Sequence, residues 1–175
     1  SGWSVALSND GTVLAVGAPL NDGAGSRAGH VQVWKWEATT AAWTQRGEDI
    51  DREAAGDDSG WSVALSGDGT VLAVGAYSND GAGSDAGHVR VWKWEATTAA
   101  WTQRGEDIDG EAAGDESGVS VALSNDGTVL AVGAWDNAGA GSYAGHVRVL
   151  NWEATTAAWT QRGEDIDGEA AGDDS

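Results

Sequence analysis

The sequence predicts an all-β fold of three four-stranded antiparallel sheets, one per repeat, stacked face to face. Three observations predict it. Ser1, Ser59 and Ser117 open three copies of one sentence, a period of 58 residues that spans 1–58, 59–116 and 117–174, and Ser175 opens a fourth copy. A fixed period of this size marks stacked supersecondary units that each lack a complete core. Each copy holds four short segments rich in Val, Trp, Leu and Thr and bounded by Gly, Asn and Asp, which is the pattern of strands. The second segment, TVLAVGA, is apolar on both faces, as a strand covered on both sides requires.

In the first copy the segments run over 3–8, 12–18, 30–37 and 42–46. The first two are joined by SNDGT, where Asn9, Asp10 and Gly11 tolerate the positive φ of a tight hairpin. The third alternates, with His30, Gln32, Trp34 and Trp36 on one side and Val31, Val33 and Lys35 on the other, so it too expects packing on both faces. A compact turn, EATTAA, leads to the fourth segment. The remaining connections, PLNDGAGSRAG and GEDIDREAAGDDSG, are longer, more acidic and rich in glycine. EAAGD within the latter is too short to stand alone as a helix.

One four-stranded sheet per repeat, covered on both faces by its neighbours, is the blade of a β-propeller. Closed propellers have roughly four to eight blades, so three leave two faces unpaired. That predicts a homo-oligomer, with two chains making a six-bladed ring, or a longer array or filament of the same repeat. The alternative closes with three units, as a β-trefoil or β-prism, although 58 residues is long for a trefoil unit.

GWSVALSNDGTVLAVGAP followed by AGHVQVW resembles the FG-GAP repeat of the integrin α propeller and of many secreted and surface proteins. Gly2-Trp3 stands where that family has Phe-Gly, and Gly17-Ala18-Pro19 is the GAP. The resemblance covers each unit as far as Trp34 and its counterparts, and the acidic composition is similar to FG-GAP-like repeats of marine microbes. It implies a propeller located outside the cell or at its surface. Tyr77 and Trp135 replace the Pro in the later copies. The family's calcium loop between strands 1 and 2 is cut down to a hairpin, so its calcium ligands do not carry over.

The formal charge is −19, from 28 acidic against 9 basic residues, with no run of Lys or Arg. This argues against nucleic acid and anionic membranes as partners and favours cations, basic partners or solubility in salt. The chain has no cysteine, hence no disulfide and no thiolate metal site. No apolar stretch is long enough for a membrane-spanning helix.

Up-and-down connectivity places both long connections at one end of every sheet. The first of them varies most between copies: Pro19, Leu20, Asp22 and Arg27 become Tyr77, Ser78, Asp80 and Asp85, then Trp135, Asp136 and Tyr143. Loops on a rigid scaffold carry binding residues, and exposed aromatics beside Asp and Asn suit carbohydrate or protein contact; the alternative is drift in a solvated loop. The second connection repeats an acidic set, Asp49, Asp51, Glu53 and Asp57, then Asp107, Asp109, Glu111 and Asp115, then Asp165, Asp167, Glu169 and Asp173. That spacing suits oxygen ligands around calcium, against the alternative of a solvated linker in which Asp caps a turn.

His30, His88 and His146 share one position and read as hydrogen-bonded structural residues. The eleven Trp read as inter-blade core or cover, with Trp135 alone in a loop. Ser4 in GWSVA lies in no strand-turn-helix elbow, there is no phosphate-binding loop, and any triad would recur threefold, so no enzyme is expected. The expected function is an extracellular structural or adhesive repeat module that self-associates through its blade faces. The alternatives are a lectin-like carbohydrate- or protein-binding module using the loop face, and an engineered symmetric repeat.

Overall fold

The computed structural model describes residues 1–21, 26–27, 29–51, 54–138 and 144–169. The first sheet holds β1 (Ser4–Leu7), β2 (Val13–Gly17), β3 (His30–Glu37), β4 (Ala42–Gln45) and β5 (Ile50–Asp51). The second holds β6 (Ser62–Leu65), β7 (Val71–Ala76), β8 (His88–Glu95), β9 (Ala100–Gln103) and β10 (Ile108–Asp109). The third holds β11 (Ser117–Leu123), β12 (Val129–Ala134), β13 (His146–Glu153), β14 (Ala158–Gln161) and β15 (Ile166–Asp167). All pairings within the sheets are antiparallel, and no helix occurs among the described residues.

The predicted four strands are present in each sheet, with a fifth that the sequence reading did not separate. In the first sheet β4 pairs with the C-terminal half of β3, and β5 pairs with its N-terminal half through His30↔Asp51 and Val31↔Ile50. Between them the outer strand breaks at Gly47, whose φ is +85°, and Gly105 (+89°) and Gly163 (+84°) make the same break in the other sheets. A left-handed residue turns the chain without a side-chain clash, and glycine supplies it.

The SNDGT hairpin forms, by a different mechanism from the expected one. Only Gly11 has positive φ. Asp10 instead organises the turn through its side chain: Oδ1 accepts from the Ser8 hydroxyl at 2.7 Å and from the Thr12 amide at 3.0 Å. Ser8 Oγ in turn accepts from Val13 N–H at 2.9 Å. Ser66-Asp68-Thr70 and Ser124-Asp126-Thr128 repeat the network.

The sheets stack as blades in an unclosed row, so the threefold-closed trefoil and prism do not apply. Two apolar cores lie at the two junctions. At the first, Val13, Ala15, Val31, Val33 and Ile50 of blade 1 meet Leu72 and Val74 of blade 2, with Val63, Leu65, Trp92 and Trp101 packed around them. The second junction repeats the arrangement one period on, with Val71, Ala73, Val89, Val91 and Ile108 against Leu130, Val132 and Leu150. Consequently β7, covered on both faces, is buried throughout, whereas β2 alternates buried and half-buried residues.

Each junction also carries a polar clamp. Arg46 stacks over Trp94 with its guanidinium carbon 4.6 Å from the ring centroid and donates to Gly69 O at 3.0 Å. Trp101 Nε1 donates to Arg46 O at 2.9 Å. Arg104 does the same to Trp152, Gly127 and Trp159 at the second junction. Ser4 and Ser62 hydroxyls donate to Gly60 O and Gly118 O of the following blade at 2.8 and 2.7 Å.

Candidate functional site

The two long connections do share one end of each sheet. Gly29 pairs with Ser59 and Gly87 with Ser117 in parallel bridges, which tie each variable loop to the connection entering the next blade. Asp58 N–H donates to Arg27 O at 3.4 Å and Glu116 N–H to Asp85 O at 3.0 Å. All four of these residues have left-handed backbones, with φ between +51° and +53°.

Side chains complete the tie. Asp58 is fully buried and receives Arg27 Nη2 at 2.6 Å and Nε at 3.3 Å. That pair raises the Arg27 pKa through its hydrogen bond and charge. In the next copy the pair is Asp85 and Glu116, two acids, and Glu116 instead accepts from Trp135 Nε1. Burial pushes the Glu116 carboxyl up, the Trp135 hydrogen bond opposes this, and the charges of Asp136 and Asp85 add to it. The variable positions therefore answer to the facing connection as well as to solvent.

Among the other expected loop residues, Pro19 is buried and Leu20 is exposed. Ser78 and Asp136 are half-buried. Asp80 accepts from Asp85 N–H at 2.8 Å, so it shapes its own loop. Asp22 and Tyr143 lie outside the described residues. Tyr77 is not a lone aromatic: its ring lies 4.5 Å from that of Trp61, which lies 4.6 Å from that of Trp3. Trp3, Trp61 and Tyr77 form a continuous aromatic row across the first junction on the loop face. The row ends there because Val119 replaces the tryptophan in the third copy. A cavity of about 340 Å³ adjoins its open end, lined by Ser1, Gly2, Trp3, Ala18, Pro19, Leu20 and Asn21.

The sequence reads the repeated Trp as inter-blade core or cover; Trp61 does meet Trp3 across the junction, but Trp3 is 57% exposed. The Gly2-Trp3 and Gly60-Trp61 pairs at the very start of the inner strands, beside the loop face, were the available signal.

Among the described residues the acidic sets are dispersed. No three of Asp107, Asp109, Glu111 and Asp115 bring ligand oxygens within 4.8 Å of one another. Asp115 is buried, and its Oδ2 accepts from Ala112 N–H at 2.8 Å and Glu111 N–H at 3.1 Å; Asp57 caps Ala54 N–H likewise at 2.9 Å. These two carboxylates close their own turns. Asp49, Asp107 and Asp165 face the histidines instead, with Oδ2 3.9, 3.8 and 4.0 Å from Nδ1 of His30, His88 and His146. Asp109, Asp167 and Asp51 sit in the short outer strands. Glu169 is exposed, while Glu53, Asp173 and the side chain of Asp51 lie outside the described residues.

Two clefts recur at the rim between blades. One of about 390 Å³ is lined by Glu48, Asp49, Trp92 and Trp101 among others, and one of about 350 Å³ by Glu106, Asp107 and Trp159.

Residues 1–34 and 51–91 match the FG-GAP repeat. No curated protein matches the chain in sequence. Among solved structures the chain is similar to one assigned as a 6-phosphogluconolactonase of Bacteroides fragilis (TM-score 0.62, 14% identity, 94% of this chain and 38% of that one). It is similar too to the periplasmic gluconolactonase PpgL of Pseudomonas aeruginosa (TM-score 0.60, 16% identity, 94% and 44%) and to Sqt1 of Saccharomyces cerevisiae (TM-score 0.54, 13% identity, 92% and 34%). The chain thus spans less than half of the length of these structures, and the likeness is one of fold.

The expectation of no enzyme is overturned by these neighbours. It rested in part on threefold replication within three blades, yet propellers assigned as lactonases share this fold. An asymmetric site assembled in a complete ring is invisible in three copies of one blade. The module is of the β-propeller type, all-β and built of tandem blades, and its stretches 1–34 and 51–91 are similar to the FG-GAP repeat.

Proposed function

We propose that this chain is a building unit of a closed propeller, joined through its two end faces to a second copy, and that the assembly serves as a structural and adhesive repeat outside the cell. One observation carries the reading: each end face carries half of an interface that is already complete twice inside the molecule. Blade 1 presents Val5, Leu7, Leu14, Val16, Trp34 and Trp43, the counterparts of the six side chains that blade 2 gives to the first core. Val5 and Leu7 are 63% and 57% exposed. Blade 3 presents Ala122, Val129, Ala131, Val147, Val149 and Ile166, the counterparts of what blade 2 gives to the second core, and Ile166 is 61% exposed. Apolar burial of this kind, about 25 cal/mol per Å², drives association.

The contact is head-to-tail, so it closes into a ring only if the rotation per blade allows it, and six blades fall within the usual number. The extracellular setting rests on the family resemblance and the acidic surface. Light scattering after size exclusion is expected to give twice the chain mass; a stable monomer at high micromolar concentration would overturn the reading, and a ladder of larger species would favour an open array.

The aromatic row favours a second reading, a glycan-binding loop face. Stacked indole and phenol rings offer sugars an apolar platform next to the polar Arg27–Asp58 pair. Glycan-array binding that is lost in Trp61→Ala would support it, and an array with no bound glycan would end it.

A further inference from the structure

We infer that Glu111, His146 and Asp165 form a binding site for a divalent transition cation of the zinc class at the junction of blades 2 and 3. Their ligand atoms lie within 4.8 Å of one another, the one such group among the described residues. The three come from separate elements: Glu111 from the connection between β10 and β11, His146 from the first position of β13, Asp165 from the turn before β15.

The imidazole itself points to a ligand. The His146 side chain is only 3% exposed, and its ring makes no hydrogen bond among the described residues. Its nearest polar partner, Asp165 Oδ2, is 4.0 Å from Nδ1, beyond hydrogen-bond reach. A cation between the imidazole nitrogen and the carboxylate oxygen would bridge the two at ligand distance from each. The supporting contacts hold the donors in place. Gln161 Nε2 donates to Asp165 Oδ1 at 2.6 Å, which orients the carboxylate and turns the other oxygen toward the ring. His146 is fixed by pairing with Ala134 on one side and Asp167 on the other. Outer contacts of this kind tune metal ligands.

The donor set selects the class. One imidazole and two carboxylates suit zinc, cobalt, nickel or manganese, whereas calcium and magnesium prefer oxygen alone. Three protein ligands leave a fourth position for water. The local competitor is Arg148, whose Nη1 lies 3.8 Å from Glu111 Oε1, so the cation shares or displaces that ion pair.

The test is calorimetric titration of the full chain with zinc chloride, followed by cobalt titration with visible absorption as a report of coordination. His146→Asn is expected to remove one equivalent of bound zinc, and Glu111→Gln to weaken that equivalent by about tenfold or more. Glu111 is 44% exposed, so the second variant tests the site even where loss of the buried ring disturbs folding. Wild-type stoichiometry and affinity in both variants, or no zinc bound by the wild type, would overturn the assignment.

Discussion

Gly105 and Gly163 occupy the same place in blades 2 and 3, and replacing each by alanine separates backbone strain from packing between blades. Their backbones match, with φ +89° and +84°, so a Cβ brings a similar left-handed penalty of about 1–2 kcal/mol at either. Their surroundings differ. A Cβ at Gly105 would lie 3.0 Å from Trp152 Cζ3 and 3.1 Å from Trp159 Cδ1, whereas one at Gly163 meets nothing within 4 Å.

Overpacking adds about 1–3 kcal/mol at Gly105 alone. For a chain of this size that is about 2–4 °C of Tm per kcal/mol beyond the loss in Gly163→Ala. In the proposed assembly the order changes for association: the second copy's Trp36 and Trp43 cover Gly163, and the same overpacking weakens each junction by about 5- to 150-fold. Urea denaturation of dilute protein reads the first effect, and sedimentation equilibrium reads the second. Equal destabilisation by the two substitutions would refute the packing argument. Unchanged association of Gly163→Ala would refute the proposed register.

Gly75→Ala is expected to be among the most damaging single-methyl additions, because its Cβ would collide with the Gly118 carbonyl and the Ser62 hydroxyl. Gly133→Ala meets only the Ser120 side chain so closely and is expected to melt several degrees higher than Gly75→Ala in calorimetry. Hydrogen bonds from the Ser124 and Thr128 hydroxyls and the Thr128 amide hold the Asp126 carboxyl at about 2, below its ordinary 3.8. A depressed carboxyl stabilises the fold above its unfolded value and ceases to do so as pH falls from about 4 toward 2. Asp126→Asn is therefore expected to flatten the loss of stability over that window in acid titration followed by circular dichroism, and an unaltered acid limb would count against the turn network.

Strand positions were legible because glycine and aspartate punctuate every copy, and the long strands His30–Glu37 and its two counterparts begin and end as read. β5, β10 and β15 were not legible, since a single Ile-Asp pair inside an acidic connection carries no periodicity. That omission hid the metal site. The β13–β15 pairing is what brings Asp165 beside His146, although nineteen positions separate them in sequence. The aromatic row was hidden for another reason: a tryptophan recurring at a fixed period has the signature of core, and contact across a junction leaves no local pattern. The roles of single carboxylates were hidden too, since spacing along the chain does not show that Asp57 and Asp115 accept from the amides of their own turns.

Repetition makes the metal site and the assembly one problem. Glu169 lies one period beyond Glu111, and it is exposed at the open end of blade 3. In the proposed head-to-tail register the second copy's His30 and Asp49, which stand 3.9 Å apart in this chain, take the places of His146 and Asp165 beside it. Two ligands at one end of the chain and one at the other then complete a site only across the junction. Zinc that binds the completed site must strengthen association by the factor by which association strengthens zinc binding, and coupling of this kind spans about 5- to 150-fold. Sedimentation with and without zinc measures it. Glu169→Gln is expected to abolish the zinc dependence while leaving zinc-free association intact, because the apolar faces are untouched, and Glu111→Gln is expected to leave the dependence in place. A zinc effect on association that survives Glu169→Gln would place the cation elsewhere on the interface and refute the shared register.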